Sequence, residues 1–228
     1  MLFREWIYTI VNPSDIWERC IDPTGEDKDN NIMPLGLKFK PDNYECLTNN
    51  IMVNTKLLLY AFNISDEIGM LSHKGNRRNV KNILDKRYTM TKFKQSEYYE
   101  EIGKYKFVIS PEGNGIDCYR HYETWISKGI PIIQRNSFIE QKYNGLPILW
   151  TDDYSEITDD YLEQKYHEFL NTEFDFSKLL LSKYPDKIQK QIKHVIRYNH
   201  SIPETKTPPI TLATEHGFWN FDDYFTLL

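Results

Sequence analysis

The chain has 228 residues with 40% hydrophobic and 14% aromatic content, enough for one buried core with an appendage. Its formal net charge of -5 at pH 7 argues against a domain that coats nucleic acid, because such domains carry a basic surplus. The three cysteines, Cys20, Cys46 and Cys118, lack metal-ligand spacing, which argues against a disulfide framework and a structural zinc site.

Residues 1–55 are predicted to form a short N-terminal region without long regular elements, and Pro34, Gly36 and Pro41 interrupt its apolar residues. It does not begin with the charged and then apolar segments of a signal peptide. No apolar run in the chain approaches the roughly 20 residues of a membrane span. We therefore expect a soluble, cytoplasmic protein, which only a partner could hold to a membrane.

From residue 56 onwards, short apolar runs alternate with amphipathic stretches. We predict strands at 57–62, 105–110, 131–134 and 147–150, and helices at 78–87, 96–104, 119–128 and 158–170. The first strand is apolar throughout, so it is expected to be buried on both faces, and Ser96 is the expected N-cap of the second helix. This alternation predicts an α/β fold with a Rossmann-like, doubly wound parallel sheet flanked by helices.

After residue 175 the alternation of predicted strands and helices ends. Two consecutive helices are predicted at 177–182 and 186–199, followed by an extended tail whose aromatic residues indicate that it packs back onto the core or onto a partner. The predicted organisation is therefore a reduced N-terminal region at 1–55, a nucleotide-binding core at 56–175, and C-terminal helices and tail at 176–228.

The stretch 105–133 carries the strongest functional signal. It combines an apolar strand, a loop containing Gly113 and Gly115, an amphipathic helix and a second apolar strand. If Asp117 caps the helix, the N–H groups of its first turn point into the glycine loop and form an anion site. Ligands of open α/β sheets bind at this carboxyl edge, although Gly-Asn-Gly is also an ordinary turn sequence.

Helical periodicity divides the helix after this loop into two sides. An apolar stripe is predicted to pack on the sheet, comprising Cys118, Tyr122, Trp125, Ile126 and Gly129. Arg120, Glu123 and Ser127 lie opposite, where an arginine can grip a phosphate and a carboxylate can accept sugar hydroxyls. The alternative is a solvated Arg120–Glu123 ion pair, and His121 is expected to be a packed histidine.

Two further groups of charged residues are candidates for ligand binding. The loop and helix start at 73–78 carry several cations, which could converge on the same anionic ligand or form a solvated basic helix start. The acidic pairs Asp152–Asp153 and Asp159–Asp160 suggest a metal site, but adjacent acids are common at helix starts, so capping is the favoured interpretation.

The sequence Ser-Pro-Glu-Gly-Asn-Gly-Ile-Asp at 110–117, followed by Arg120, Glu123 and Gly-Ile-Pro-Ile at 129–132, resembles the signature of exostosin-like glycosyltransferases. Weaker similarity at 33–37, 59–63 and 146–150 extends the resemblance over about residues 32–170. It implies the C-terminal, donor-binding half of a GT-B fold.

The resemblance also implies a function. The chain would transfer a sugar from a UDP- or GDP-sugar to a glycan or other hydroxyl acceptor, without a metal or other cofactor. Arg120 would neutralise the diphosphate, and Glu123 would bind ribose or the donor sugar. The remaining implied nucleotide-sugar contacts are Ser110, Glu112, Gly113, Asn114, Gly115 and Asp117 in the loop, with Arg77, Arg78 and Arg135 at its borders.

The chain departs from that family at its N-terminal end. Only about 50 residues precede the first predicted strand, whereas an acceptor-binding half requires on the order of 100 residues. The chain is then a reduced enzyme, an enzyme whose acceptor half comes from a partner or a second copy, or a non-catalytic nucleotide-sugar-binding or scaffold domain. A different nucleotide-binding enzyme on the same sheet is a third class, and no catalytic base is assigned.

Overall fold

The structure of the protein is a computed structural model. It describes residues 54–64, 76–113 and 118–176, together with strand segments at 8–9, 37–38 and 218–220. The helices predicted at 177–182 and 186–199 lie outside these described residues. Within them, every helix is too short or too polar to cross a membrane.

The described elements alternate along the chain. The strands are β1 (Tyr8–Thr9), β2 (Leu37–Lys38), β3 (Lys56–Leu59), β4 (Tyr105–Ile109), β5 (Ile130–Gln134), β6 (Leu149–Thr151), β7 (Glu173–Asp175) and β8 (Phe218–Asn220). The helices are α1 (Asn76–Leu84), α2 (Gln95–Glu101), α3 (Tyr119–Ile126), α4 (Ser137–Tyr143) and α5 (Asp159–Leu170), with 3-10 turns at Ile102–Lys104 and Tyr154–Glu156.

A four-stranded parallel sheet with flanking helices is the centre of the described structure. Its strand order is β3-β4-β5-β6, with Leu58 opposite Phe107, Ile109 opposite Ile132, and Ile133 opposite Trp150. The predicted parallel α/β sheet is confirmed, and it is compatible with a Rossmann-like fold. A doubly wound sheet reverses its strand order, whereas the order among these described strands follows the chain.

The core lies between this sheet and its helices. Phe107, Val108 and Ile109 of β4 are fully buried, as expected for a central parallel strand. On α3, Tyr122, Trp125 and Ile126 are buried, which confirms the central residues of the predicted apolar stripe. The indole Nε1 of Trp125 donates to the carbonyl of Pro147 at 2.9 Å, so its polar atom is satisfied inside the core.

Two predicted helix N-caps require correction. α2 begins at Gln95, and the carboxylate of Glu97 accepts the backbone N–H of Lys94 at 3.0 Å. Lys94 is therefore the N-cap, and the prediction of Ser96 in that role was wrong. α3 begins at Tyr119 with Cys118 at its N-cap, whereas the predicted cap Asp117 lies outside the described residues.

Other differences also have local causes. Lys56 is exposed and Leu57 and Leu58 are half-buried, so the first half of β3 is less enclosed than its apolar sequence predicts. The seven-residue helix α4 was not predicted. Ser127, expected to face away from the sheet, is buried because α3 ends at Ile126 and helical periodicity no longer applies beyond it.

The described part of the C-terminal tail lies against β7. Phe218–Asn220 forms β8 and pairs with β7 in antiparallel fashion, with Trp219 opposite Phe174. Phe174 is buried and stacks on Phe169 of α5. This segment of the tail therefore packs on the chain itself, while the predicted limits of the three regions remain predictions.

The turn after α3 contains a left-handed residue that is not glycine. Lys128 has a φ of 65°, and the side chain of Asn54 donates to its carbonyl at 2.7 Å. The next residue, Gly129, returns its N–H to the carbonyl of Thr124 at 2.9 Å. These bonds close the end of α3, but Lys128 carries a Cβ in a conformation that favours glycine.

Replacing Lys128 with glycine should therefore stabilise the protein. Relief of the left-handed strain, reduced by the greater freedom of glycine in the unfolded chain, gives an expected gain of about 1 kcal/mol. Urea unfolding followed by tryptophan fluorescence measures the change. Lys128→Ala is the control, since alanine keeps the Cβ; an equal gain in that variant would contradict the explanation.

Candidate functional site

The first turn of α1 joins the chain segments that follow β3 and β4. The Nε of Arg77 donates to the carbonyl of Glu112 at 2.5 Å, and its Nη1 donates to the carbonyl of Asn63 at 2.8 Å. Because neighbouring parallel strands end at the same edge of a sheet, both carbonyls lie at the carboxyl edge. Arg77 therefore links the segment that follows β3 to the segment that follows β4.

A cleft of about 360 Å³ opens beside this junction, at the carboxyl end of β3. It is lined by residues of the segment after β3, of the segment before α2, and of α2 and α3: Ala61, Phe62, Asn63, Thr91, Lys92, Phe93, Tyr98, Tyr99, Arg120 and Glu123. Arg120 and Glu123, which the sequence places on one side of α3, both face this cleft.

Arg120 is anchored on two sides. Its Nη1 donates to the carbonyl of Ala61 at 2.5 Å and to the hydroxyl of Tyr98 at 3.2 Å. Its guanidinium also lies 5.0 Å from the centre of the Tyr98 ring, within cation–π range. The Nε of Arg120 is buried and has no hydrogen-bond partner within the described structure, an arrangement that costs on the order of 1–3 kcal/mol.

Glu123 lies one turn further along α3. Its Oε1 accepts a hydrogen bond of 3.2 Å from the hydroxyl of Tyr99. Burial raises the pKa of the Glu123 carboxyl, and Arg120 and the hydroxyls of Tyr99 and Tyr98 oppose this shift without cancelling it. Burial lowers the pKa of Arg120, but Tyr98 and Glu123 raise it by more, so the guanidinium stays charged.

Arg120 lines the cleft, and Arg77 adds positive charge beside it through its contacts with Asn63 and Phe62. Burial lowers the pKa of Arg77, and repulsion from Arg120 acts in the same direction. A Cβ added at Gly113 would lie 3.2 Å from the Nη2 of Arg77, so glycine allows the loop backbone to approach the guanidinium closely. A bound anion would screen the repulsion between these two cations.

Ser110 does not face the cleft. It is fully buried, and its hydroxyl lies 2.7 Å from the Nδ1 of His121, which is fully buried as well. The Sγ of Cys118 lies 3.5 Å from the same Nδ1. His121 is therefore a packed histidine, as predicted, and it links the end of β4 to the start of α3.

The remaining predicted contacts are dispersed. Arg78 is exposed on α1, and Arg135 forms ion pairs with Glu140 at 2.6 Å and Asp152 at 3.3 Å. Glu112 is buried and contributes its carbonyl to Arg77. Asn114, Gly115 and Asp117 lie outside the described residues, so the predicted phosphate loop is described only at its two ends.

The acidic pairs act locally where the structure describes them. Asp153 caps the 3-10 turn that follows β6, and its carboxylate accepts the N–H of Ser155 at 2.9 Å. Asp159 accepts a hydrogen bond of 2.8 Å from the hydroxyl of Tyr88. In the described ranges, three or more His, Cys, Asp or Glu side chains do not come together in a group that could hold a metal ion.

The aromatic wall of the cleft was not predicted from the sequence. Phe93, Tyr98 and Tyr99 line it, and the two tyrosines contact Arg120 and Glu123 directly. The available signal was the pair of adjacent tyrosines on a predicted amphipathic helix. Such a pair becomes informative only once the contact between α2 and α3 is known.

No protein-family model matches the chain, and no curated protein matches it either.

The surroundings of Cys118 predict a reactive thiol. Burial raises the pKa of this thiol, but His121, Arg77 and Arg120 lower it by more, so its net pKa lies below the ordinary value. Alkylation of the peptide that contains Cys118, followed by mass spectrometry across pH, should show a midpoint below that of a free cysteine. Arg77→Ala should raise this midpoint, because one of the stabilising cations is removed.

Arg87→Ala serves as the control for that measurement. The Nη1 of Arg87 donates to the carbonyls of Ser155 and Ile157, and this residue does not contribute to the pKa of Cys118. The midpoint should stay unchanged in this variant. Equal shifts for both arginines, or a midpoint equal to that of a free thiol, would contradict the electrostatic explanation.

Proposed function

We propose that the protein is a glycosyltransferase that uses a nucleoside-diphosphate sugar as its donor, bound at the cleft between α2 and α3. The observation that carries this proposal is the placement of Arg120 and Glu123 in one cleft at the carboxyl edge of a parallel sheet. A cation and a carboxylate one helical turn apart can divide the recognition of a donor, with diphosphate at the arginine and sugar hydroxyls at the carboxylate.

The position of Arg77 supports the same assignment. It lies against Gly113 and donates to the carbonyl of Asn63, a residue of the cleft lining, so a second guanidinium group lies beside the cleft that Arg120 lines. A diphosphate carries more charge than a single arginine neutralises. The pair of arginines therefore suits a diphosphate better than a carboxylate or a neutral ligand.

The cleft is also suited to the ligand in size and lining. Its volume of about 360 Å³ lies in the range of small-molecule sites. Phe62, Phe93 and Tyr98 offer aromatic surface for a nucleoside or sugar ring, while Arg120 and Glu123 of α3 and Lys92 before α2 supply charged groups. A lining that combines aromatic side chains with many polar groups suits a polar ligand such as a nucleotide sugar.

The proposed chemistry follows from the charges. When an acceptor hydroxyl replaces the diphosphate at the anomeric carbon, negative charge develops on the leaving diphosphate. Arg120 and Arg77, already held in place by backbone carbonyls, stabilise that charge without having to reorganise. The resemblance at 110–132 to exostosin-like glycosyltransferases points to the same donor half of a GT-B enzyme.

Binding of nucleoside diphosphates tests the proposal. Titration calorimetry with UDP, GDP and the corresponding sugars should identify at least one ligand, and Arg120→Ala should weaken its binding about tenfold to a hundredfold, because a charge-assisted hydrogen bond is lost. Arg87→Ala is the matched control, since that arginine bonds to carbonyls outside the cleft.

Two results would count against the proposal. Failure of every nucleoside diphosphate to bind would remove the donor site, and equal affinity in Arg120→Ala and the unmodified protein would remove Arg120 from it. Release of free nucleotide from the bound nucleotide sugar, with a hydroxyl acceptor present, separates an enzyme from a domain that only binds the donor.

A further inference from the structure

Two adjacent tyrosines on α2 each contact one of the two charged residues of α3 in the cleft. The hydroxyl of Tyr98 accepts from the Nη1 of Arg120 at 3.2 Å, and the hydroxyl of Tyr99 donates to the Oε1 of Glu123 at 3.2 Å. Tyr99 is 5% exposed, and its ring lies 5.5 Å from that of Tyr98 in an edge-on arrangement. We call these two residues the tyrosine pair.

Without the tyrosine pair, Arg120 and Glu123 could form an ion pair with each other. Oppositely charged residues three positions apart on a helix are neighbours and form ion pairs on isolated helices. In the protein, the guanidinium is drawn towards Ala61 and Tyr98, while the carboxylate is drawn towards Tyr99. Each charge thereby has a 3.2 Å hydrogen bond to a different tyrosine, while Arg120 and Tyr98 still act electrostatically on Glu123.

The geometry of α2 makes this division possible. Successive side chains of a helix point about 100° apart, so the two neighbouring tyrosines approach α3 from different directions. Arg120 and Glu123 are separated by about 4.5 Å along the axis of α3, the rise of three residues. Tyr98 bonds to Arg120 and also favours the ionised form of Glu123, and Tyr99 supplies the 3.2 Å bond to the carboxylate.

The two hydroxyls also differ in their roles. Tyr98 accepts a hydrogen bond from a cation and places its ring against the guanidinium, which favours the charged arginine. Tyr99 donates to a carboxylate, which favours the ionised form and opposes the rise in pKa that burial causes. Each contact therefore favours the charged form of its partner.

We propose that the tyrosine pair positions Arg120 and Glu123 as two separate ligand contacts and prevents them from neutralising each other. Tyr98 and Tyr99 are positioning residues in this assignment, and they act through the charged residues of α3. The assignment deepens the proposed function and rests on it for the identity of the ligand, but the positioning itself is a property of the protein without ligand.

A titration of the ligand-free protein tests the positioning directly. The carboxyl carbon of Glu123, observed by NMR in protein labelled with 13C-glutamate and assigned with Glu123→Gln, reports its protonation. The groups that face this carboxyl are Arg120 and His121 on α3, and Tyr98 and Tyr99 on α2. Tyr99→Phe removes a hydrogen bond to the ionised form, so the pKa of Glu123 should rise.

Tyr88→Phe is the matched control, because it also removes a tyrosine–carboxylate hydrogen bond, that of Tyr88 to Asp159 at 2.8 Å, outside the cleft lining. This variant should leave the pKa of Glu123 unchanged while losing comparable stability. A pKa of Glu123 that does not move in Tyr99→Phe, or moves equally in both variants, would overturn the proposal.

Ligand binding gives the second measurement. With whichever of UDP, GDP or their sugars binds the unmodified protein, Tyr98→Phe should weaken binding about tenfold, the loss of one hydrogen bond to a charged group. Adding Tyr98→Phe to Arg120→Ala should cause little further loss, because the tyrosine acts through that arginine. Full additivity of the two losses would contradict a positioning role.

The two experiments distinguish this proposal from the proposed function. If no nucleoside diphosphate binds while the pKa of Glu123 rises in Tyr99→Phe, the positioning stands and the donor assignment fails. If a nucleotide binds and the pKa of Glu123 is the same in Tyr99→Phe as in the unmodified protein, the donor site stands and the tyrosine pair is only part of the cleft wall.

Discussion

The guanidinium of Arg120 connects the elements on which the site depends. It reaches from α3 to a backbone carbonyl after β3 and to Tyr98 of α2, so a single charged group ties the central sheet to two helices. A neutral side chain could not hold these partners with comparable strength, because hydrogen bonds from a cation are roughly twice as strong as neutral ones. This arrangement costs free energy, because the charge is partly buried and one guanidinium nitrogen has no hydrogen-bond partner in the described structure. The negative charge of Glu123 partly offsets that cost.

This arrangement explains why the charged residues of α3 face inward without joining the core. The opposite side of the helix carries Tyr122, Trp125 and Ile126, which are fully buried. α2 closes over the charged side and supplies hydroxyl groups and aromatic surface in place of water. The result is a polar cleft at the edge of an apolar core, where electrostatic interactions are stronger than at an open surface.

Much of the fold could be predicted because its signals are local. Apolar runs mark β3 to β6, and the periodicity of α3 places Arg120 and Glu123 on the same side. Contacts between elements could not be predicted in this way. The tyrosine pair depends on how α2 lies across α3, and the burial of Ser127 depends on where α3 stops. The approach of Arg77 to Gly113 likewise joins residues of two different loops.

The order of the strands bears on how the protein forms. Each strand from β4 to β6 pairs with the strand synthesised just before it, so every parallel pair is completed within one contiguous stretch of the chain. The described residues that line the cleft lie between Ala61 and Glu123. On a ribosome, the cleft residues therefore emerge before β5 and β6, and the later strands serve to support a site whose parts are already present.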